Sequence, residues 1–285
     1  MKKVQKETNE KRQNNLLPIL LIAVSGIIFL LALIQMVSYG LKTRQEAALD
    51  KETRDFRQQE EIAFDKANMG LQKDRESDTI AATDEQAKAG HLKEEFLKIN
   101  EDYVAWLEIP GSDIAYPVVQ RDNAYYLSHD FRQKESSHGS IFLDEACTKE
   151  TVVWLIHGHH MKDGSMFGSL KQYKKEAYRE EHRTILLDTG EGNVTYRIFA
   201  AALIDFSKET EENRAFHYEC LPQTKETFEE YVKELKKNAF WYDNAMEEEL
   251  TNVAEHLSGK KMIILSTCEY GTALQRLILV AVRVD

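Results

Sequence analysis

The longest apolar stretch of the chain runs from residue 16 to residue 34 and carries no charged side chain. Its sequence is LLPILLIAVSGIIFLLALI. As a helix it would span about 28 Å, which is close to the thickness of the hydrocarbon core of a bilayer. A surface helix of a soluble protein would have a polar face, which this stretch lacks. The pattern predicts a membrane-spanning helix.

A cleaved signal peptide is the alternative interpretation of this stretch. Signal peptides have a shorter apolar region, of about 7–15 residues, followed by small residues at the cleavage site. Here the stretch is longer and QMVSYG follows it, without an A-x-A pattern. We therefore expect an uncleaved anchor over residues 16–37. Basic side chains outnumber acidic ones over residues 1–15, which predicts a cytoplasmic N-terminal tail and an extracellular remainder.

The charge distribution supports this division. The chain carries a formal net charge of −11, to which residues 1–40 contribute +3, so the predicted extracellular part is strongly acidic. An acidic protein lacks the basic face that phosphate binding requires, and we expect no nucleic-acid partner. The three cysteines are too few for a disulfide scaffold. We expect Cys147 and Cys220 to be structural, and the sequence leaves open whether they pair.

The predicted extracellular part divides again. Residues 38–90 are rich in charged side chains and predict a helical stalk or linker, whereas residues 91–285 predict the catalytic domain. The amphipathic stretch from Leu92 to Trp106 predicts a helix that packs on this domain. Eight short apolar runs follow, separated by turns, and they predict a mostly β (α+β) fold with a closed eight-stranded barrel. These runs are 104–109, 114–120, 140–144, 152–157, 185–188, 194–206, 262–268 and 277–284. A helix-bearing insertion, residues 207–261, separates the sixth and seventh predicted strands.

Three features could carry chemistry. Cys268 ends an apolar strand, where a side chain becomes accessible; a buried structural thiol is the alternative. The segment IHGHH places His157, His159 and His160 after another strand, as a general acid/base, as metal ligands or as polar loop residues. Arg276 begins the last strand and would return beside Cys268 in a hairpin. Together they form a nucleophile, a proton carrier and a fixed cation.

At these residues the sequence resembles the sortase family, and most closely class B sortases. The resemblance covers about residues 92–285. It is carried by LSTC (265–268) with Arg276, by IHGHHMKDGSMFGSL (156–170), by IPGSDIAYPVVQRDNAYYLSHDF (109–131) and by HGSIFLD (138–144).

The resemblance implies a cysteine transpeptidase without a cofactor or a bound metal. It implies that Cys268 is the nucleophile, His159 the general acid/base and Arg276 the transition-state stabiliser. Residues that match substrate-binding positions are Asn123, Leu127, Ser266, Thr267 and Glu269. The implied partners are surface proteins with a C-terminal sorting signal, cleaved after Thr, and a peptidoglycan precursor or another amine nucleophile.

The chain departs from the family pattern at three places. His157 stands where the family usually has Tyr, Ile264 stands where the TLxTC pattern has Thr, and the segment between Cys268 and Arg276 is shorter than in some relatives. These departures concern substrate preference. Two other functions stay open from the residues alone: a metallohydrolase that uses His157, His159 and His160, and a non-catalytic anchored binding domain.

Overall fold

The computed structural model describes residues 2–68, 78–206, 219, 221–268 and 274–284, with side chains for 20–68, 84–206, 219, 221–267 and 274–284. The chain divides into two compact units, Met1–Leu49 and Asp50–Asp285. Helix α1, Lys2–Asn68, forms the described part of the first unit and continues into the second. Its large apolar side chains from Leu20 to Leu41 are exposed, and the helix is long and apolar enough to cross a membrane.

The second unit begins with the end of α1 and helix α2, Asp78–Ile99. Phe56 of α1 contacts Phe96 of α2 at a ring distance of 5.4 Å, and Phe96 stacks on Tyr103 at 4.9 Å. Arg57 of α1 reaches the carboxylate of Asp188. Residues 50–68, which the sequence predicts as part of the stalk, thus pack within the second unit.

The predicted helix from Leu92 to Trp106 is too long, because α2 ends at Ile99. The side-chain oxygen of Asn100 accepts a hydrogen bond from the N–H of Asp102 at 2.9 Å, a local bond that competes with continuation of the helix. Tyr103 and Trp106 therefore belong to the first strand, and they pack on Phe96 from there.

The remainder is built on nine described strands. They are β1 Tyr103–Glu108, β2 Ala115–Val119, β3 Ile141–Leu143, β4 Val153–His157, β5 Thr184–Asp188, β6 Asn193–Asp205, β7 Ala239–Tyr242, β8 Met262–Cys268 and β9 Gln275–Arg283. Their order is β5-β1-β2-β3-β4-β8-β9-β6-β7, and an additional β5–β6 pairing closes eight of them into a ring. The predicted closed eight-stranded barrel is confirmed. The ninth described strand, β7, pairs with β6 and with no other described strand, and it belongs to the predicted insertion.

The insertion lies between β6 and β8 and carries helices α4, Lys225–Asn238, and α5, Glu247–Glu255. Thr224 and Thr227 form a reciprocal capping box that begins α4. Its apolar face, Phe228, Tyr231 and Leu235, is buried as the helical spacing predicts. A short helix α3, Glu176–Glu181, precedes β5, and 3-10 turns cover Tyr125–Leu127, Gly168–Lys174 and Asn244–Met246. Cys220 and residues 207–218 lie outside the described residues.

Strand β8 lies at the centre of the functional part of the barrel. Its residues from Met262 to Leu265 are completely buried, as expected for a strand covered on both faces. It pairs in parallel with β4 and antiparallel with β9. The apolar run therefore sets where β8 lies in the sheet. The end of β8 lies between the end of β4 and the beginning of β9.

Candidate active site

The backbone register pairs two of the three residues that the sequence predicts as catalytic, and it sets the strand that leads to the third beside them. Cys268, the last residue of β8, is paired with Arg276 of β9 in the antiparallel ladder. On the other side of β8, His157 of β4 is paired with Ser266 in the parallel ladder. Because the two strands are parallel, His159 and Cys268 each follow this pair by two residues toward the same end of the sheet. The predicted hairpin return of Arg276 is therefore present.

The ring of His159 is held in one orientation by a carbonyl oxygen. Its Nε2 lies 2.8 Å from the carbonyl oxygen of Leu127. A carbonyl oxygen only accepts hydrogen bonds, so Nε2 carries a proton and donates it. The other ring nitrogen, Nδ1, is then the atom that can take up and release a proton during a reaction.

The loop that carries His159 is closed by backbone bonds. The N–H of Phe167 donates to the carbonyl oxygen of His159 at 3.0 Å, and His160 forms a bridge with Met166. The N–H of Met166 donates to the hydroxyl of Tyr116 at 3.0 Å. Burial raises the pKa of Tyr116 to about 12, so this hydroxyl stays neutral. These hydrogen bonds thus hold the backbone of the loop in place around His159.

Gly139 allows the 3-10 turn Tyr125–Leu127 to approach the loop. Its φ is 59°, in the left-handed region that favours glycine. A Cβ atom here would lie 2.4 Å from the carbonyl oxygen of Tyr126 and 3.1 Å from Cδ2 of His159. The contact between Leu127 and His159 therefore depends on a residue without a side chain.

A second polar group lies beside the strand ends, centred on Asp144. Its Oδ2 accepts hydrogen bonds from His157 Nε2 at 3.0 Å and from Asn123 Nδ2 at 2.9 Å. Its Oδ1 accepts from the N–H of Ala146, and the Oδ1 of Asn123 accepts from the N–H of Glu145, both at 2.9 Å. Burial alone would raise the pKa of Asp144, but the hydrogen bonds from His157 and Ala146 outweigh it and the pKa lies below its usual value.

The other predicted site residues occupy different surroundings. Arg276 is half-buried, and its Nη1 donates to the carbonyl oxygen of Gln275 at 3.5 Å. Leu127 is 47% exposed, whereas Ser266 and Thr267 are both 2% exposed. Within the described part of the chain, the hydroxyl of Thr267 has no hydrogen-bond partner. Glu269 and the side chain of Cys268 lie outside the described residues.

Cys147 has the features of a structural thiol. It is free, 2% exposed, and its Sγ accepts from the N–H of Leu155 at 3.4 Å. Burial raises the pKa of the Cys147 thiol to about 11, so it stays protonated at neutral pH. This thiol packs as part of the core.

The sortase domain family matches residues 107–284. The chain belongs to the sortase family. A sortase B of Listeria monocytogenes is 35% identical over 178 residues, a match that covers 60% of this chain and 65% of the relative. The chain therefore matches just under two thirds of the length of that relative. A sortase B of Staphylococcus aureus is 28% identical over 190 residues, covering 65% of this chain and 71% of the relative.

The solved structures support the fold. The Staphylococcus aureus sortase B-substrate complex has a TM-score of 0.62 at 23% identity, covering 86% of this sortase and 99% of that chain. The class B resemblance predicted from the sequence is confirmed by these relatives.

His157, His159 and His160 do not form a metal-ligand group among the described side chains. Within the described side chains, the group of three ligand atoms close enough to share an ion is Glu60, His91 and Glu95, within 4.8 Å of one another. His157 and His159 use their Nε2 atoms on Asp144 and on a carbonyl oxygen instead. The metallohydrolase alternative receives no support from this geometry.

Sequence reasoning missed Asp144 as a site residue. The only signal was its position at the end of the run HGSIFLD, directly after β3. Its link to His157 and Asn123 depends on the pairing of β3 with β4, which places Phe142 opposite His157. A pattern along the chain does not report such a cross-strand neighbour.

Proposed function

We propose that this sortase is a membrane-anchored cysteine transpeptidase in which Cys268, His159 and Arg276 act together. The observation that carries the proposal is the register of β4, β8 and β9, because it pairs Cys268 with Arg276 and ends β4 beside β8 two residues before His159. Membership of the sortase family supports the same assignment.

In the first half of the reaction, the thiolate of Cys268 attacks the backbone carbonyl carbon of Thr in a C-terminal sorting signal. The guanidinium of Arg276 and a backbone N–H donate hydrogen bonds to the oxyanion that forms. The C–N bond then breaks, and His159 gives its proton to the leaving amine. The products are a thioester on Cys268 and a free C-terminal peptide.

In the second half, an amine nucleophile attacks the thioester carbon. His159 takes a proton from this amine, an amide bond forms, and the thiolate of Cys268 leaves. Water can replace the amine, and the product is then a carboxylate. Such a covalent intermediate gives ping-pong kinetics.

The proposed partners follow from this chemistry and from the N-terminal helix. They are surface proteins with a C-terminal sorting signal, and a peptidoglycan precursor or another amine. The exposed apolar stretch of α1 supports a single membrane span, with residues 1–15 in the cytoplasm and the barrel outside the cell. Asn123, Leu127, Ser266, Thr267 and Glu269 are the proposed substrate-binding residues.

The test is mass spectrometry of the full-length protein in detergent micelles, incubated with a panel of sorting-signal peptides. We expect a covalent adduct equal to the peptide minus its leaving fragment, which disappears when an amine such as triglycine is added. Cys268→Ala should abolish the adduct completely, because the thioester needs that sulfur.

Cys147→Ala is the matched control, since it removes a thiol that is buried in the core. This variant should keep the adduct. An adduct that persists in Cys268→Ala, or one that is lost in Cys147→Ala alone, contradicts the proposed nucleophile.

A further inference from the structure

Asn123 is held with a fixed orientation of its side-chain amide. A carboxylate accepts hydrogen bonds and cannot donate them, so the group that faces Asp144 must be the NH2 of Asn123. The backbone N–H of Glu145 donates, so the group that faces it must be the oxygen. Exchanging the two ends would set an oxygen against a carboxylate and an NH2 against an N–H.

This orientation leaves a defined recognition capacity. A primary amide has two N–H donors and two acceptor positions, and the contacts with Asp144 and Glu145 use one of each. One donor and one acceptor remain on Asn123. An extended peptide offers the complementary pair, a carbonyl oxygen and an N–H, along its backbone.

His157 is the second side chain that bonds Asp144. Both His157 and Asn123 bond the same oxygen, Oδ2, and the side chains of His157 and Asp144 are only 20% and 14% exposed. The ring of His157 also packs on Phe142 of β3 at 5.1 Å, and its backbone is paired with Ser266 of β8. Asp144 is the charged group that the described structure places against this ring.

The same strand end touches the substrate-facing segment, residues 122–127, at two points. His159 bonds the carbonyl oxygen of Leu127, and His157 reaches Asn123 through Asp144. One contact lies at each end of the segment. Residues 157–159 therefore include the proposed proton carrier, His159, and also hold both ends of the segment 122–127.

We propose that His157 is a positioning residue that, through Asp144, orients Asn123 for binding the backbone of the sorting-signal peptide. This inference rests on the proposed function. The N–H that His157 donates to Asp144 holds Oδ2 of the carboxylate against the side-chain amide of Asn123.

The test uses single-turnover acylation of the full-length protein by the peptide of the panel that the wild type acylates fastest. Varying the peptide concentration separates the half-saturating concentration from the maximal acylation rate. His157→Phe keeps the aromatic contact with Phe142 and removes the donor. We expect its half-saturating concentration to rise about tenfold, and its maximal rate to stay within about threefold.

His157→Gln retains a neutral donor and should recover most of the affinity. Asp144→Asn removes the carboxylate and serves if His157→Phe does not fold. His256→Gln, at the exposed end of α5, is the matched control and should behave as the wild type.

A measurement without peptide keeps the inference independent of the proposed reaction. The NMR signal of the Asn123 side-chain amide, assigned with Asn123→Ala, should shift in His157→Phe and return close to its wild-type position in His157→Gln. An amide signal that is the same in the wild type and in His157→Phe overturns the inference, as does a variant that loses only its maximal rate. If the wild type forms no adduct but the amide signal responds as expected, the proposed function fails and the positioning role stands.

Discussion

His157 and His159 stand two residues apart at the end of β4, yet their surroundings differ in a way that separates two roles. His159 is oriented by one neutral carbonyl oxygen, whereas His157 is tied to a carboxylate that accepts two further hydrogen bonds. Each ring makes its described contact through Nε2, so the two histidines differ in their partner: a backbone carbonyl oxygen for His159, and for His157 a carboxylate that also holds Asn123. The comparison predicts that replacing His159 lowers the maximal acylation rate, whereas replacing His157 raises the half-saturating peptide concentration.

The largest effect is expected at His159. His159→Gln keeps an N–H that can donate to the carbonyl oxygen of Leu127, but it cannot exchange a proton with the leaving amine. The maximal acylation rate should fall about 10²–10⁴-fold, the usual contribution of general acid–base catalysis. The half-saturating peptide concentration should change less than about threefold, in contrast to His157→Phe. Single-turnover kinetics measure both quantities, and a loss confined to affinity would make His159 a binding residue instead.

The sequence predicts the barrel well because its strands are short apolar runs bounded by turns, and all eight predicted runs became barrel strands. It also predicts the hairpin that pairs Cys268 with Arg276, since nearby residues on consecutive strands form a local contact. The extra strand β7 was missed because its four residues are only half-buried or exposed and have no clear alternation. The group around Asp144 was missed because its members, residues 123, 144 and 157, meet only through the folded barrel.

Gly139 lies where the 3-10 turn Tyr125–Leu127 approaches His159, and its replacement should have the next largest effect. Gly139→Ala adds a Cβ 2.4 Å from the carbonyl oxygen of Tyr126 and forces a left-handed φ on alanine. We expect the free energy of unfolding to fall by roughly 2–4 kcal/mol. Chemical denaturation of the full-length protein in micelles measures this change.

Gly259→Ala is the matched control, because Gly259 has a similar φ of 56°, whereas the atom nearest to its Cβ position is the carbonyl oxygen of Lys149 at 3.4 Å, an ordinary van der Waals distance. It should show the cost of the backbone conformation alone. If both variants lose the same stability, the close approach of the 3-10 turn to His159 contributes nothing to it.

The smallest effect is a pH-dependent loss of stability, expected when the carboxylate of Asp144 is replaced. The pKa of Asp144 is lowered in the folded protein, because hydrogen bonds from His157 and Ala146 outweigh the opposing effect of burial. Such a carboxylate stabilises the fold above its unfolded pKa, and this contribution is lost as the pH falls through the folded value. Asp144→Asn should therefore lower the free energy of unfolding by about 1–2 kcal/mol near neutral pH, and the difference should shrink below about pH 4. Among the described side chains no carboxylate bonds His159, so the stability of His159→Gln should follow that of the wild type over the same acid range. A difference between wild type and Asp144→Asn that stays constant down to about pH 3 would show that Asp144 acts by packing rather than by its charge.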